Sequence, residues 1–290
     1  MNPGDTVKMA PDDVVEALLQ GSVDTHIHGG PDIIPRKMSD MAVAHAAKTA
    51  GMRAVVIKNH VTPTTSRARL VQEAVGEIRV FGGLVLNKAA GGLNQAAVEV
   101  ELALGAKEIW MPTKSSVPDI TLNRGDLNKG VPVTDEKGAF LPELYEILDM
   151  IAQKDVILGT GHLTAGEIEK LATLAKQRGV RKILVSHPEF EIPEMPIQMQ
   201  KSLARQGVYF ERCFYACTHP PKKLSPVVLM EQIKAVGSEF TVMASDFGQA
   251  FNEEPLTGFR RYIQTMLQLG LSREDIEIMV KKNPAQLLGI

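Results

Sequence analysis

The stretch VDTHIHGG, residues 23–30, sets two histidines one residue apart, after a short apolar start and before a glycine pair. In a strand, successive side chains point to opposite faces, so His26 and His28 share a direction and can reach one ion. Imidazole nitrogen suits zinc and other first-row divalent metals, and carboxylate oxygen completes such a site. An isolated pair of this kind reads as two hydrogen-bonded histidines closing a strand. Its meaning is decided by what the rest of the chain places beside it.

Outward from that stretch, short apolar runs alternate with longer amphipathic segments along nearly the whole chain. The runs are SVDTHIH (22–28), RAVVIK (53–58), RVFGGLVL (79–86), KEIWMP (107–112), DVILGT (155–160), RKILVS (181–186), GVYFER (207–212) and FTVMAS (240–245). Helix punctuation lies between them. Ser39 caps a helix stopping at Gly51, and Thr64 caps one stopping at Gly76. Thr164 and Glu167 form a capping box, and Ser225 with Pro226 opens a further helix. Eight strands alternating with helices predict an α/β fold with a parallel sheet closed into a (β/α)8 TIM barrel, in one domain over residues 1–290. A doubly wound open sheet is the alternative. One long irregular stretch, at about 115–140, follows the fourth strand, with a small hairpin expected around Glu136–Gly138. Such a loop is a lid or wall of a site, or else a solvated insertion.

Composition narrows the function classes. With 290 residues, 44% hydrophobic and 23% charged, the chain can bury a sizeable core. A formal net charge of −2 offers no basic surface for nucleic acid or an anionic membrane, which leaves a small molecule as the expected partner. The two cysteines, Cys213 and Cys217, are too few and too close for a disulfide framework, and no segment approaches the roughly 20 apolar residues of a membrane span. The N-terminal stretch has no basic flank followed by an apolar run. A cytoplasmic protein is expected.

The chemistry gathers at the carboxyl ends of the expected strands, where barrel enzymes carry it. Strand one ends in His26 and His28, strand two in Lys58, Asn59 and His60, strand three in Asn87 and strand four in Lys114. Strand five ends at His162, six at His187, seven at Glu211 and Arg212, eight at Asp246. Five of the seven histidines fall on one face. This ordered set, together with the ending NPAQLLGI (283–290), resembles the amidohydrolase superfamily of metal-dependent barrel hydrolases, in a poorly characterised branch.

The resemblance implies a binuclear centre. His26, His28 and Asp246 would hold one divalent ion and His162 and His187 the other, with Lys114 bridging them as a carbamate. Unmodified lysine has no lone pair for a metal while protonated, whereas the carboxylated amine offers two oxygens. Lys58 competes for that role. Zinc is the expected metal, with manganese, nickel or cobalt compatible with the same ligands. Water between two such ions is acidic enough to give hydroxide near neutral pH, and Asp246 would accept its proton.

Lys58, His60, Asn87 and Arg212 are expected to bind substrate, with Glu211 as the alternative inward residue because one register step reverses the faces. His45 belongs to a helix surface. Cys213, Cys217 and His219 suggest a second metal site but lack a fourth ligand.

The expected activity is hydrolysis of a small-molecule amide, cyclic amide, lactone or ester. The alternatives are a one-metal deaminase or decarboxylase, a phosphoesterase, and an inactive metal-binding barrel. A homo-oligomer is compatible with all of them.

Overall fold

The computed structural model describes residues 12–218 and 223–290. Among the described residues nine short strands run in order: β1 Val23–Ile27, β2 Ala54–Ile57, β3 Arg79–Phe81, β4 Gly83–Val85, β5 Glu108–Trp110, β6 Ile157–Gly159, β7 Ile183–Ser186, β8 Tyr209–Cys213 and β9 Thr241–Ala244. Every pairing between them is parallel, β1 through β3 and then β4 through β9.

β3 and β4 are one pass of the chain, broken at Gly82. A side chain there would lie 2.4 Å from the Thr64 backbone. The Thr64 hydroxyl donates to the Ile57 carbonyl at 2.7 Å and accepts from the Gly83 amide at 2.9 Å. Thr64 therefore stitches two strands together and makes no side-chain cap on the helix Thr65–Val75. The nine segments thus form eight staves, as the sequence pattern predicts.

The ring closes between the first and last staves. The Asp246 amide donates to the His26 carbonyl and the His28 amide to the Phe247 carbonyl, each at 2.8 Å, and Ile27 bridges Phe247 in parallel. The fold is a (β/α)8 barrel, as expected.

Strands buried on both faces need apolar residues on both, which is why AVVI and ILVS carry no alternation. Inside the barrel, Val23, Ala54, Val56, Val85, Trp110, Ile157, Leu184 and Val242 pack together. The helix Asn283–Leu288, from the NPAQLLGI ending, adds Leu287 and Leu288 to that cluster. Its Asn283 side chain donates to the carbonyls of Ser238 and Thr241 at 2.8 and 2.6 Å.

Helices cover the outside. Ala165–Gln177 begins with the full Thr164–Glu167 capping box and buries Ile168, Leu171, Ala172 and Ala175, the stripe an amphipathic helix turns to a core. Ser39 and Ser225 cap their helices as expected. The 115–140 segment is more ordered than its sequence suggests. Ser116 caps a helix, Val117–Leu122, with proline in its first turn, and Thr134 pairs with Phe140 across a tight turn. Among the described residues, no helix is long and apolar enough to cross a membrane.

Candidate metal centre

A β-bulge decides where the opening histidines point. β1 pairs with β2 at Val23–Ala54 and Asp24–Val55, and next at Ile27–Ile57, so β1 takes three steps against two. The extra residue puts two consecutive side chains on the same side. Thr25 donates to Glu211 Oε1 at 2.5 Å, and His26 Nδ1 lies 2.8 Å from Glu211 Oε2. Ile27 then faces outward into the helix-side core and His28 returns inward.

The result is a tight set of ligand atoms. His26 Nε2 and His28 Nε2 are 3.2 Å apart, and Asp246 Oδ1 lies 3.2 and 3.1 Å from them. Each ring is fixed from its far side by an oxygen acceptor: Glu211 for His26, and the Lys58 carbonyl at 3.0 Å for His28. An acceptor at Nδ1 keeps the proton there and leaves the Nε2 lone pair facing the other ligands.

Burial pushes the His28 imidazolium down to about 3, so that ring is neutral at ordinary pH. Burial opposes ionisation of Asp246, but His26 and His28 beside it hold its carboxyl well below the usual carboxylate range. Two ring nitrogens and a carboxylate oxygen converging on one point make a natural environment for a cation. The residues present therefore fit a divalent first-row ion.

A second pair stands next to the first. The His162 and His187 rings are 5.1 Å apart, and His187 is 6.4 Å from His26. His162 Nδ1 lies 2.7 Å from Asp119 Oδ2 and His187 Nδ1 3.1 Å from the Ile192 carbonyl, so both also present Nε2. Burial lowers His162 to about 4 and His187 well below its ordinary value. His187 and Asp246 hold positive φ, 31° and 53°, a conformation few non-glycine residues adopt and one that clusters at functional sites. Sequence reasoning missed Asp119; only the Ser116 cap three residues before it marks the helix that positions it.

The remaining expected residues divide. His60 lies between His28 and His162, its ring 4.7 and 6.1 Å from theirs, and lines the cavity. Asn87 lines it too, but its amide is spent within the wall. It accepts from the Thr113 and Ser115 amides and donates to the His60 carbonyl and Thr113 Oγ1. Lys114 stands at the mouth with its side chain 58% exposed and its ammonium 3.3 Å from Asp119 Oδ2.

Two expectations are corrected. Arg212 does not reach the cavity: it is fully buried, bonded to Glu189, Gln200 and Gln232. β8 runs Tyr209–Cys213 and turns Glu211, not Arg212, inward. Lys58 is also sealed off. It sits inside the barrel with its ammonium 5.1 Å from the Trp110 ring centre and, among the described residues, no hydrogen-bond partner, near Glu108 and Glu211. Although Lys58 follows the last residue of β2, its side chain turns into the barrel interior and not into the cavity.

His45 is exposed on its helix. Cys213 is buried with Sγ 3.7 Å from His26 Nδ1, so His26, Cys213 and Asp246 also form a cluster; His219 lies outside the described residues. Burial raises the Cys213 thiol well above its ordinary value, which leaves it protonated beside a nitrogen already held by Glu211.

The five histidines floor a cavity of about 560 Å³. Its lining adds apolar residues, Ile33 and Ile34 on the loop after β1, Leu122 on the helix of the long loop, Phe190 and Tyr215, to polar ones such as Lys114, Asn123 and Glu191. Arg36 is on this wall as well, paired with Asp32 at 2.7 Å. A body of mixed apolar and polar character fits such a space.

Comparison with known structures agrees with this architecture. An amidohydrolase from Pseudomonas aeruginosa aligns over 97% of this chain and 98% of its own, at 11% identity and a TM-score of 0.67. A probable dipeptidase from the same organism aligns over 97% and 98%, at 13% identity and a TM-score of 0.64. The organophosphorus hydrolase from Deinococcus radiodurans aligns over 94% of both chains, at 15% identity and a TM-score of 0.58. These likenesses establish the fold, a (β/α)8 barrel shared with those three proteins. No curated protein matches the sequence. Residues 21–211 do match a family of unknown function, DUF6282, and the chain belongs to that family.

Proposed function

We propose that this protein is a metal-dependent hydrolase of small molecules, acting on an ester, lactone, amide, cyclic amide or phosphoester. The observation that carries this reading is the meeting of His26 Nε2, His28 Nε2 and Asp246 Oδ1 within 3.1–3.2 Å at the floor of an open cavity. Those three residues would hold one divalent ion, most naturally zinc, and His162 and His187 a second. A bound divalent ion supplies Lewis acidity toward a carbonyl or phosphoryl oxygen and acidifies water.

The chain's own groups do the rest. Asp246, kept ionised, is placed to take the proton of the attacking water and return it to the leaving group. Glu211 and Asp119 fix the rings of His26 and His162 and make their outward nitrogens more basic. Ile33, Ile34, Leu122 and Phe190 offer apolar contact to the body of a bound substrate.

One observation favours a second reading. Lys114 is exposed and engaged with Asp119, where a bridging carbamate would have to lie between the two histidine pairs. With Lys114 as a partner of Asp119, a single ion held by His26, His28, His162 and Asp246, without a bridging lysine, suits deamination or decarboxylation. Elemental analysis of wild-type protein and Lys114→Ala, prepared with bicarbonate and excess zinc, separates the two. About two ions per chain, falling in the variant, supports the bridged hydrolase. One ion in both removes Lys114 from the metal chemistry, and none in either overturns the metal-dependent reading.

A further inference from the structure

His60 differs from the other four histidines of the floor in what holds its Nδ1. His26, His28, His162 and His187 each meet an oxygen that can only accept, a carboxylate or a carbonyl. His60 Nδ1 meets the hydroxyl of Thr113 at 2.8 Å. A hydroxyl can give or take, so the chain of bonds behind it decides.

That chain begins at backbone groups whose direction is fixed. The Thr113 and Ser115 amides donate to Asn87 Oδ1 at 2.7 and 3.1 Å, which identifies the other terminal atom of Asn87 as nitrogen. Asn87 Nδ2 donates to the His60 carbonyl and to Thr113 Oγ1, both at 2.8 Å. Thr113 Oγ1 is thus an acceptor from Asn87. It is fully buried, and among the described residues its proton has His60 Nδ1 as its only further partner. An undonated buried hydroxyl proton costs free energy, so Thr113 donates to Nδ1 and the ring proton resides on Nε2.

We infer that Asn87 and Thr113 lock His60 as an Nε2–H donor facing the cavity, where it binds an oxygen of a carboxyl, carbonyl or phosphoryl group held beside the metal ligands. This assignment rests on the metal-centre reading for the location of that oxygen. It gives the floor two kinds of histidine, four offering lone pairs and one offering a hydrogen. Asn87, expected to touch substrate, acts instead through Thr113 as a positioning residue.

Long-range ¹H–¹⁵N correlation on metal-free protein reads the tautomers directly, so its outcome is independent of whether metal binds. His60 is expected as the Nε2–H form, with His28, His162 and His187 as Nδ1–H. In Thr113→Val, His60 should lose its single form while the other three keep theirs. A His60 in the Nδ1–H form, or a signal indifferent to Thr113→Val, overturns the lock.

For the binding role, inorganic phosphate is titrated calorimetrically into zinc-loaded wild type, His60→Phe and Thr113→Val. His60→Phe should weaken phosphate about tenfold, the loss expected for one hydrogen bond to an anion, with zinc content unchanged. Thr113→Val should weaken it by a smaller factor. Equal phosphate affinity in wild type and His60→Phe, or binding by neither, overturns the donor role. Absence of bound zinc overturns the metal reading and leaves the tautomer result standing.

Discussion

His26 Nδ1 and Glu211 Oε2 lie 2.8 Å apart, and both side chains are shut away from solvent. Burial alone would raise the Glu211 carboxyl, yet the His26 ring and the Thr25 hydroxyl beside it hold it below its ordinary value. The pair is an anion orienting a ring whose other nitrogen faces the cavity. Glu211→Gln keeps the shape and removes the charge. Zinc affinity, measured by competition with a chromogenic chelator, should drop about 10- to 100-fold. An unchanged affinity would show that His26 does not depend on its carboxylate.

Arg212 makes the opposite prediction. Its guanidinium is bonded to Glu189, Gln200 and Gln232 away from the cavity. Removing one partner of a buried ion pair strands the other, at a cost of about 3–5 kcal/mol. Arg212→Met should therefore lower the denaturation midpoint sharply while the folded fraction keeps wild-type zinc content. Wild-type stability with altered ligand binding would return Arg212 to the site.

Gly248 carries φ +138°, and a Cβ there would fall 1.7 Å from the His28 carbonyl oxygen. Both the conformation and the space exclude a side chain. Gly248→Ala is expected to destabilise the fold and to displace His28, read as loss of bound zinc and a lower melting temperature together. Retention of both would mean that the loop after β9 yields easily.

Burial raises the Asp24 carboxyl to about 7, although Oδ1 accepts from the His26 and Ser245 amides. In the unfolded chain it titrates near 3.8. Between these values the folded state binds more protons, so this group's contribution to stability is greatest below 3.8 and is lost as pH rises through 7. Asp24→Asn removes that dependence. The melting temperature of the variant minus that of wild type should climb from pH 4.5 to 7 and level off above, by an amount on the order of a few kcal/mol in stability. A difference that stays constant with pH would refute the raised value.

Much of this molecule could be read from strand ends. The eight apolar runs and the five histidines at or just beyond their ends locate the barrel and its floor, because a parallel stave is covered on both faces and its carboxyl end opens on the cavity. What could not be read were events of register. Glu211 and Arg212 are consecutive, and only their observed contacts show which of them faces inward.

The bulge in β1 is similar. Strict alternation groups His26 and His28 with Asp24, whereas the structure turns Asp24 outward and the histidines in. Asp119 and Thr113 escaped notice because they act through other side chains, and a residue that only orients another leaves no spacing pattern of its own.

The barrel's seam and its candidate ion site are built from the same residues. The amides of Asp246 and His28 supply the bonds that join the last stave to the first, while the side chains of those two residues, with His26, converge on one point. More than 200 residues of chain separate the two sides of that seam, so it joins the beginning and the end of the sequence. An ion there would act as a clasp on a hoop, and amide hydrogen exchange at His28 and Asp246 would slow most when it is fastened.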